Sequence, residues 1–353
     1  MPERKRKNWT LLGSAVVVVY LILASRPVPV ETVLVPAWIR DLRNAAADPA
    51  AAEGLAPFRN GSVMGYFDME GRFSIVRTAE GKTALADAVW TEYRASPDGL
   101  ELFDPFGKPV AKMSERGYPW FADGRTFIVG PEQNSIGAIG SAGTALWSRD
   151  FPAQITCADA AAGSLLIGLL DGSIQVLDKN GDLVFTFEPG GSRLPVVLAA
   201  KLSDDGKAIA LVSGIDPQRF LYLEKSGGSF KVVHHEYLNG AFRRPVKATF
   251  VGEGKWVAYE KENGLGIFEP STRASYVLDV GGSIAALDGT GNDGMMFLLT
   301  ADGQEKALVA IRMPDKVVTR APFRSDETYL RRHGDRLFIG GDSRISAISI
   351  SSR

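Results

Sequence analysis

Between Leu165 and Val184 the chain reads LLIGLLDGSIQVLDKNGDLV. An apolar run ends at Asp171-Gly172, a second run alternates about Ile174 and Val176, and Asp178-Lys-Asn-Gly181 leads into a third. Asp and Asn tolerate the left-handed backbone of tight turns and Gly adopts it freely, so each break marks a hairpin. Two hairpins in immediate succession, with no helical period, make this stretch antiparallel sheet.

The same signals recur on either side. A small turn containing glycine precedes an apolar strand at Gly81, Gly124, Gly163, Gly206, Gly254, Gly294 and Gly334, at intervals of 43, 39, 43, 48, 40 and 40 residues. Among the strands that follow are Thr126–Val129, Ala208–Val212, Trp256–Tyr259 and Met296–Leu299. A second turn mark, at Asp98-Gly99, Asn134-Ser135, Asp171-Gly172, Asn263-Gly264, Asp302-Gly303 and Asp342-Ser343, keeps the same period. About 40 residues is the length of one four-stranded propeller blade. The expectation is an all-β fold, a seven-bladed β-propeller with units near 71–114, 115–150, 153–190, 194–238, 244–280, 282–321 and 325–353. The last unit has three strands of its own, so Val63–Phe67 is expected to complete it and close the ring, leaving no open edge.

Before the repeats, Arg4, Lys5, Arg6 and Lys7 precede an uncharged stretch from Asn8 to Ser25. That length is at the lower limit for spanning a bilayer, and the basic excess on its N-terminal side sets the orientation. A cleaved signal peptide shares these features, but the small-residue pairs that cleavage needs are poor around Ala24 and Ser25. The sequence thus predicts a basic cytoplasmic tail over 1–7, one N-terminal transmembrane helix over 8–25, a juxtamembrane connector over 26–60 and the propeller over 61–353. Within the connector, Trp38–Ala52 is expected to form a short helix. The implied location is the inner membrane, single-pass, with the N-terminus cytoplasmic and the propeller in the periplasm or outside the cell. No cysteine near the apolar stretch allows a lipid anchor.

Composition narrows the chemistry. A formal net charge of -1 gives no field to recruit nucleic acid. Cys157 is the single cysteine, which excludes an intramolecular disulfide and a cysteine-rich metal site. It lies on a strand and reads as a packed small hydrophobe. His234 and His235 are adjacent on a strand, so they point to opposite faces and read as one exposed and one packed histidine rather than a ligand pair. No nucleophile elbow, phosphate loop or zinc-protease helix occurs, and no cofactor is expected. Trp90, Trp120, Trp147 and Trp256 fit inter-blade core, with one or two available as rim anchors. Arg243, Arg244, Arg331, Arg332 and His333 fall in or beside loops and are the candidate partner contacts, solvated loops being the alternative.

Gly143-Thr-Ala-Leu146-Trp147-Ser and Asp171-Gly172-Ser-Ile174-Gln-Val176-Leu-Asp178 resemble the pyrroloquinoline-quinone-like repeat, in which a glycine turn leads to a Leu-Trp pair. The pattern over 61–353 is similar to propellers of that superfamily and of the WD-type superfamily, although no unit ends in Trp-Asp. The resemblance implies a protein-binding scaffold, as in envelope propellers that assist outer-membrane protein assembly. It does not carry the quinone-dependent dehydrogenase activity, because those enzymes use eight blades, an adjacent cysteine pair and calcium. The expected function is a membrane-tethered scaffold binding another envelope protein. The alternative is an enzyme or small-molecule binder with its site in the central channel.

Overall fold

The computed structural model describes residues 3–24, 32–51, 54–94, 98–240, 242–262 and 264–352. The chain divides into two compact units, Met1–Val35 with Ile350–Arg353, and Pro36–Ser349. The expected repeat is present, but it builds eight sheets rather than seven, so blade number no longer sets the chain apart from the quinone-dependent dehydrogenases, whereas its single cysteine still does. Blade 1 holds Ala56–Asn60, Val63–Phe67 and Phe73–Thr78. Blades 2 to 7 are four-stranded and cover 82–116, 118–150, 155–187, 194–238, 248–278 and 283–324. Blade 8 is ordered Thr32–Asp41, Arg344–Ser352, Arg336–Gly341, Thr328–His333. First strands touch in succession from blade 2 to blade 8, and Ala56–Asn60 touches Thr328–His333, which completes the ring.

The seven-blade count fails at the N-terminal side for an identifiable reason. Blade 1 occupies only Ala56–Thr78 and has three strands among the described residues. Its Asp68–Arg72 turn repeats the hydrogen bonding of Asp104–Lys108 and Asp178–Asp182, with the aspartate Oδ1 accepting the N–H groups two and four residues on. Those two turns join third to fourth strands, so among the described residues blade 1 supplies second, third and fourth strands and no first. The missing strand removes the glycine turn that the 40-residue period tracks. Gly81 accordingly lies in the link between blades 1 and 2 and not in a first turn.

Ring closure is corrected with it. Val63–Phe67 is the middle strand of blade 1. The outer strand of blade 8 is Thr32–Asp41, so the helix expected over Trp38–Ala52 does not form. Val33, Val35 and Ile39 alternate at the spacing of a strand. Trp38 packs against Phe67 and Phe338 with ring centroids 5.6 and 5.9 Å apart and donates to the Met69 carbonyl at 2.9 Å.

The transmembrane helix is the second correction. One α-helix runs Glu3–Ala24, and among the described residues no helix is long and apolar enough to cross a membrane. Its first turns carry Glu3, Arg4, Lys5, Arg6 and Lys7. The uncharged remainder, Asn8–Ala24, rises about 25 Å at about 1.5 Å per residue, against a hydrocarbon core of about 30 Å. The anchor over 8–25, the single-pass inner-membrane location and the membrane as a partner through this helix are therefore not supported.

The core of Pro36–Ser349 is a set of layers between blades. Between blades 5 and 6, Phe220 stacks on Tyr259 at 4.1 Å and 8°, with Tyr222, Phe250 and Phe268 around them. Each such ring buries 150–250 Å². The layers hold the blades rigid and leave the loops at either end of the ring to act.

Candidate functional site

The zigzag of four-stranded blades sorts every loop to one of two end faces. Links between blades and turns between second and third strands share one end, the link face. Turns between first and second strands, and between third and fourth, share the other, the turn face. Arg243 and Arg244 precede the first strand of blade 6, on the link face. Arg331, Arg332 and His333 end the first strand of blade 8, on the turn face. The structure therefore does not bring the two arginine pairs together.

Their environments differ as much as their positions. Arg332 is 5% exposed and spends its guanidinium on Asp293, with Nη1–Oδ1 at 2.9 Å and Nη2–Oδ2 at 2.8 Å. Arg331 pairs with Asp87 of blade 2, across the place of the absent first strand. His333 is exposed. Arg244 clamps the buried Glu260 through both carboxylate oxygens, at 3.1 and 2.6 Å, and lies over Phe242. Arg243 beside it is exposed.

At the turn-face end of the channel a cavity of about 470 Å³ spans blades 4 to 7, lined by Asp159, Lys201, Thr249, Glu253, Thr290 and Asn292 among others. Of its four charged residues, Asp159, Lys201, Asp204 and Glu253, the first two join blades. Asp159 accepts Lys201 Nζ at 2.8 Å and the Leu202 N–H at 2.9 Å, both from blade 5. Asp288 likewise accepts the Arg332 N–H of blade 8 at 2.6 Å, and Asp123 accepts the Gly163 N–H of blade 4 at 3.0 Å. Among the described residues no group of three or more His, Cys, Asp or Glu is placed to hold a metal ion. Cys157 is packed beside Gly168, and burial pushes its thiol up to about 11, so it stays protonated at neutral pH. His234 stacks on Phe268 at 4.3 Å while His235 points outward, edge-on to Tyr237.

What sequence reading missed is on the link face at blades 4 and 5. There three large apolar side chains stand out from separate segments: Leu170 at 50% exposure, Leu194 at 48% and Tyr237 at 59%. Leu170 opens the middle turn of blade 4, and a Cβ on its neighbour Gly172 would lie 2.6 Å from Pro195. Leu194 pairs with Ile215, and the adjoining backbone ties Arg193 N–H to the Asp216 carbonyl at 2.9 Å. Ser192 Oγ donates to the Pro217 carbonyl at 2.6 Å. Arg219 holds the Pro189 and Gly190 carbonyls at 3.2 and 3.0 Å while lying 5.3 Å from the Tyr237 ring. These bonds make one fixed corner of exposed apolar and aromatic surface, edged by the solvent-facing Arg193–Asp216 pair. No motif marks it, because its residues are apart in sequence and each is ordinary in a strand or turn.

A closed ring of eight blades defines a β-propeller, and no catalytic function is indicated for it. The chain belongs to a family of β-propeller proteins whose model matches residues 1–353. An uncharacterized protein of Treponema pallidum (strain Nichols) is 24% identical, over 99% of this chain and 96% of its own length. Among solved structures, BamB from Moraxella catarrhalis superposes with a TM-score of 0.64 at 14% identity, covering 90% of this chain and all of its own. The Dos1 propeller gives 0.63 at 12% identity, covering 90% of this chain and 95% of its own. A chain of the Mitotic Checkpoint Complex gives 0.57 at 11% identity, covering 92% and 94%. At these identities the structures show the shared fold alone.

Proposed function

We propose that this propeller is a protein-interaction platform that docks a partner on its link face through the corner formed by Leu170, Leu194 and Tyr237. The observation that carries the reading is the corner itself: three exposed apolar side chains around a link that hydrogen bonds tie to blade 5. Tyr and Arg dominate the energetics of protein interfaces, and here Tyr237 and Arg219 are stacked and already ordered. Preordering lowers the entropy lost on binding. One structural neighbour is a chain of the Mitotic Checkpoint Complex, which agrees with this use of the fold. Trp147, of the Leu-Trp pair that resembles the quinone-type repeat, packs on Gly181 in a turn of the next blade.

The test is a double variant, Leu194→Asp with Tyr237→Ala, set against Val277→Asp on the outer strand of blade 6, where Val277 is also exposed. Both should melt like the parent, since surface substitutions usually stay within about 0.5 kcal/mol. Loss of two anchors should weaken partner association by about 2 kcal/mol or more, roughly 30-fold. Quantitative co-purification should therefore recover one protein with the parent and the Val277 control but not with the double variant. Equal recovery from all three would sink the proposal.

A further inference from the structure

The outer edges of the blades are not equally protected. A strand at the edge of a sheet presents unpaired N–H and C=O groups, and proteins guard such edges with charged side chains and proline. Among the described residues, six of the eight outer strands carry that guard, through Arg77 in blade 1, Pro109 in blade 2, Arg149 in blade 3, Lys231 in blade 5, Pro322 in blade 7 and Pro36 in blade 8. The outer strands of blades 4 and 6, Leu183–Phe187 and Ala274–Leu278, contain no charge and no proline. Each ends its sheet with no strand paired beyond it.

The charges at their ends separate these two edges. Leu183–Phe187 lies between Asp182 and Glu188, both exposed. Ala274–Leu278 lies between Arg273 and Asp279, also exposed, and among the described residues neither makes an ion pair. Asp279 Oδ1 accepts the Gly281 N–H at 2.9 Å, which orients the carboxylate and leaves Oδ2 for a partner. A strand that pairs antiparallel with a copy of itself sets its first residue against the last of the other, as a two-fold axis requires. With the axis at Tyr276, each Arg273 falls opposite Asp279 of the other copy, and Ser275 opposite Val277. The faces agree as well: Ser275 and Val277 are both exposed, while Tyr276 and Leu278 pack into the layer between blades 6 and 7. The same operation on blade 4 sets Asp182 against Glu188, and like charges directly opposite oppose pairing.

We infer that the outer strand of blade 6 pairs antiparallel with the same strand of a second copy of this chain, joining two four-stranded blades into one eight-stranded sheet. The inference stands apart from the link-face corner, which lies on other blades. Five residues give about 17 Å of strand at about 3.4 Å per residue. So small a contact makes the dimer weak and dependent on concentration.

The test is sedimentation equilibrium of the full chain from about 5 μM to about 1 mM, where a monomer–dimer equilibrium is expected. Arg273→Asp sets aspartate against aspartate at both ends, and should weaken the dimer at least about 10-fold with an unchanged melting temperature. Asp279→Arg should weaken it similarly by opposing arginines. A mixture of the two variants should recover dimers containing one of each, seen by energy transfer between labels, because opposite charges again meet at both ends. A merely structural effect of either substitution gives no such recovery. Partner recovery through Leu194 and Tyr237 should be unchanged in Arg273→Asp, so failure here is separable from failure of the corner. A chain that stays monomeric at about 1 mM, which would leave the edge to a strand of another protein, would overturn the inference. So would association equal in the parent and Arg273→Asp, or a mixture of the variants that stays monomeric.

Discussion

At the scale of single residues, three aspartates of this propeller act as joints between blades. Asp123, Asp159 and Asp288 each reach from one blade to a main-chain N–H of the next. In the sequence they look like turn residues, because nothing local distinguishes an aspartate that caps its own turn from one that bonds a neighbour 40 residues away. His234 is a joint of another kind. It stacks on Phe268, its Nε2 is buried without a hydrogen-bond partner, and Glu236 Oε2 stands 3.8 Å away, its other oxygen taken by the Tyr259 hydroxyl. Burial lowers its pKa, and it outweighs the opposing effect of Glu236. A folded-state pKa below the usual value of about 6.5 means that the unfolded chain binds more protons there, so stability falls as pH drops below about 6.5. Urea unfolding at pH 7.5 and 5.5 should show this loss in the parent and a smaller one in His234→Phe. An equal loss in both would rule His234 out as its source.

At the scale of elements, the strands needed glycine where blades approach. Gly168 sits within Ser164–Leu169, and a Cβ there would lie 2.5 Å from Val197 Cγ1 of blade 5 and 2.6 Å from Cys157 Sγ. Gly168→Ala should therefore lower the urea midpoint, at a cost of about 1–3 kcal/mol, with an unchanged slope. An unchanged midpoint would show that the layer between blades 4 and 5 yields. This glycine was visible in the stretch that decides the fold, but its reason was not, because the reason is on another blade. The same division holds elsewhere. The period from Gly124 to Gly334 was legible because each unit carries its own turn chemistry. Blade 1 was not, because it lacks the first strand and its turn. A signal was nonetheless there: Asp68-x-x-Gly71, Asp104-x-x-Gly107, Gly140-x-x-Gly143 and Asp178-x-x-Gly181 open turns 36, 36 and 38 residues apart. The closing strand Thr32–Asp41 carried no glycine mark and took its identity from the C-terminal strand that it pairs with.

At the scale of the whole molecule, eight blades joined by aspartates and filled by aromatic layers make a ring with exposed apolar side chains at both ends, Phe106 on the turn face as well as Leu170 on the link face. On the turn face two ion pairs join neighbouring blades, Arg332 with Asp293 and Lys201 with Asp159. The link face exposes apolar side chains on a fixed backbone at blades 4 and 5. The proposal that the chain holds another protein therefore rests on the fixed backbone around Leu170, Leu194 and Tyr237 and not on a difference between the two faces. The most direct measurement is site-specific photo-crosslinking in intact cells, with the photoreactive residue placed in turn at Leu170, Leu194 and Tyr237, and at Glu253 and Asn292 on the turn face. The account predicts the same protein adduct from all three link-face positions and none from the turn face. Adducts from the turn face alone, or none above the unirradiated control at any position, would contradict it.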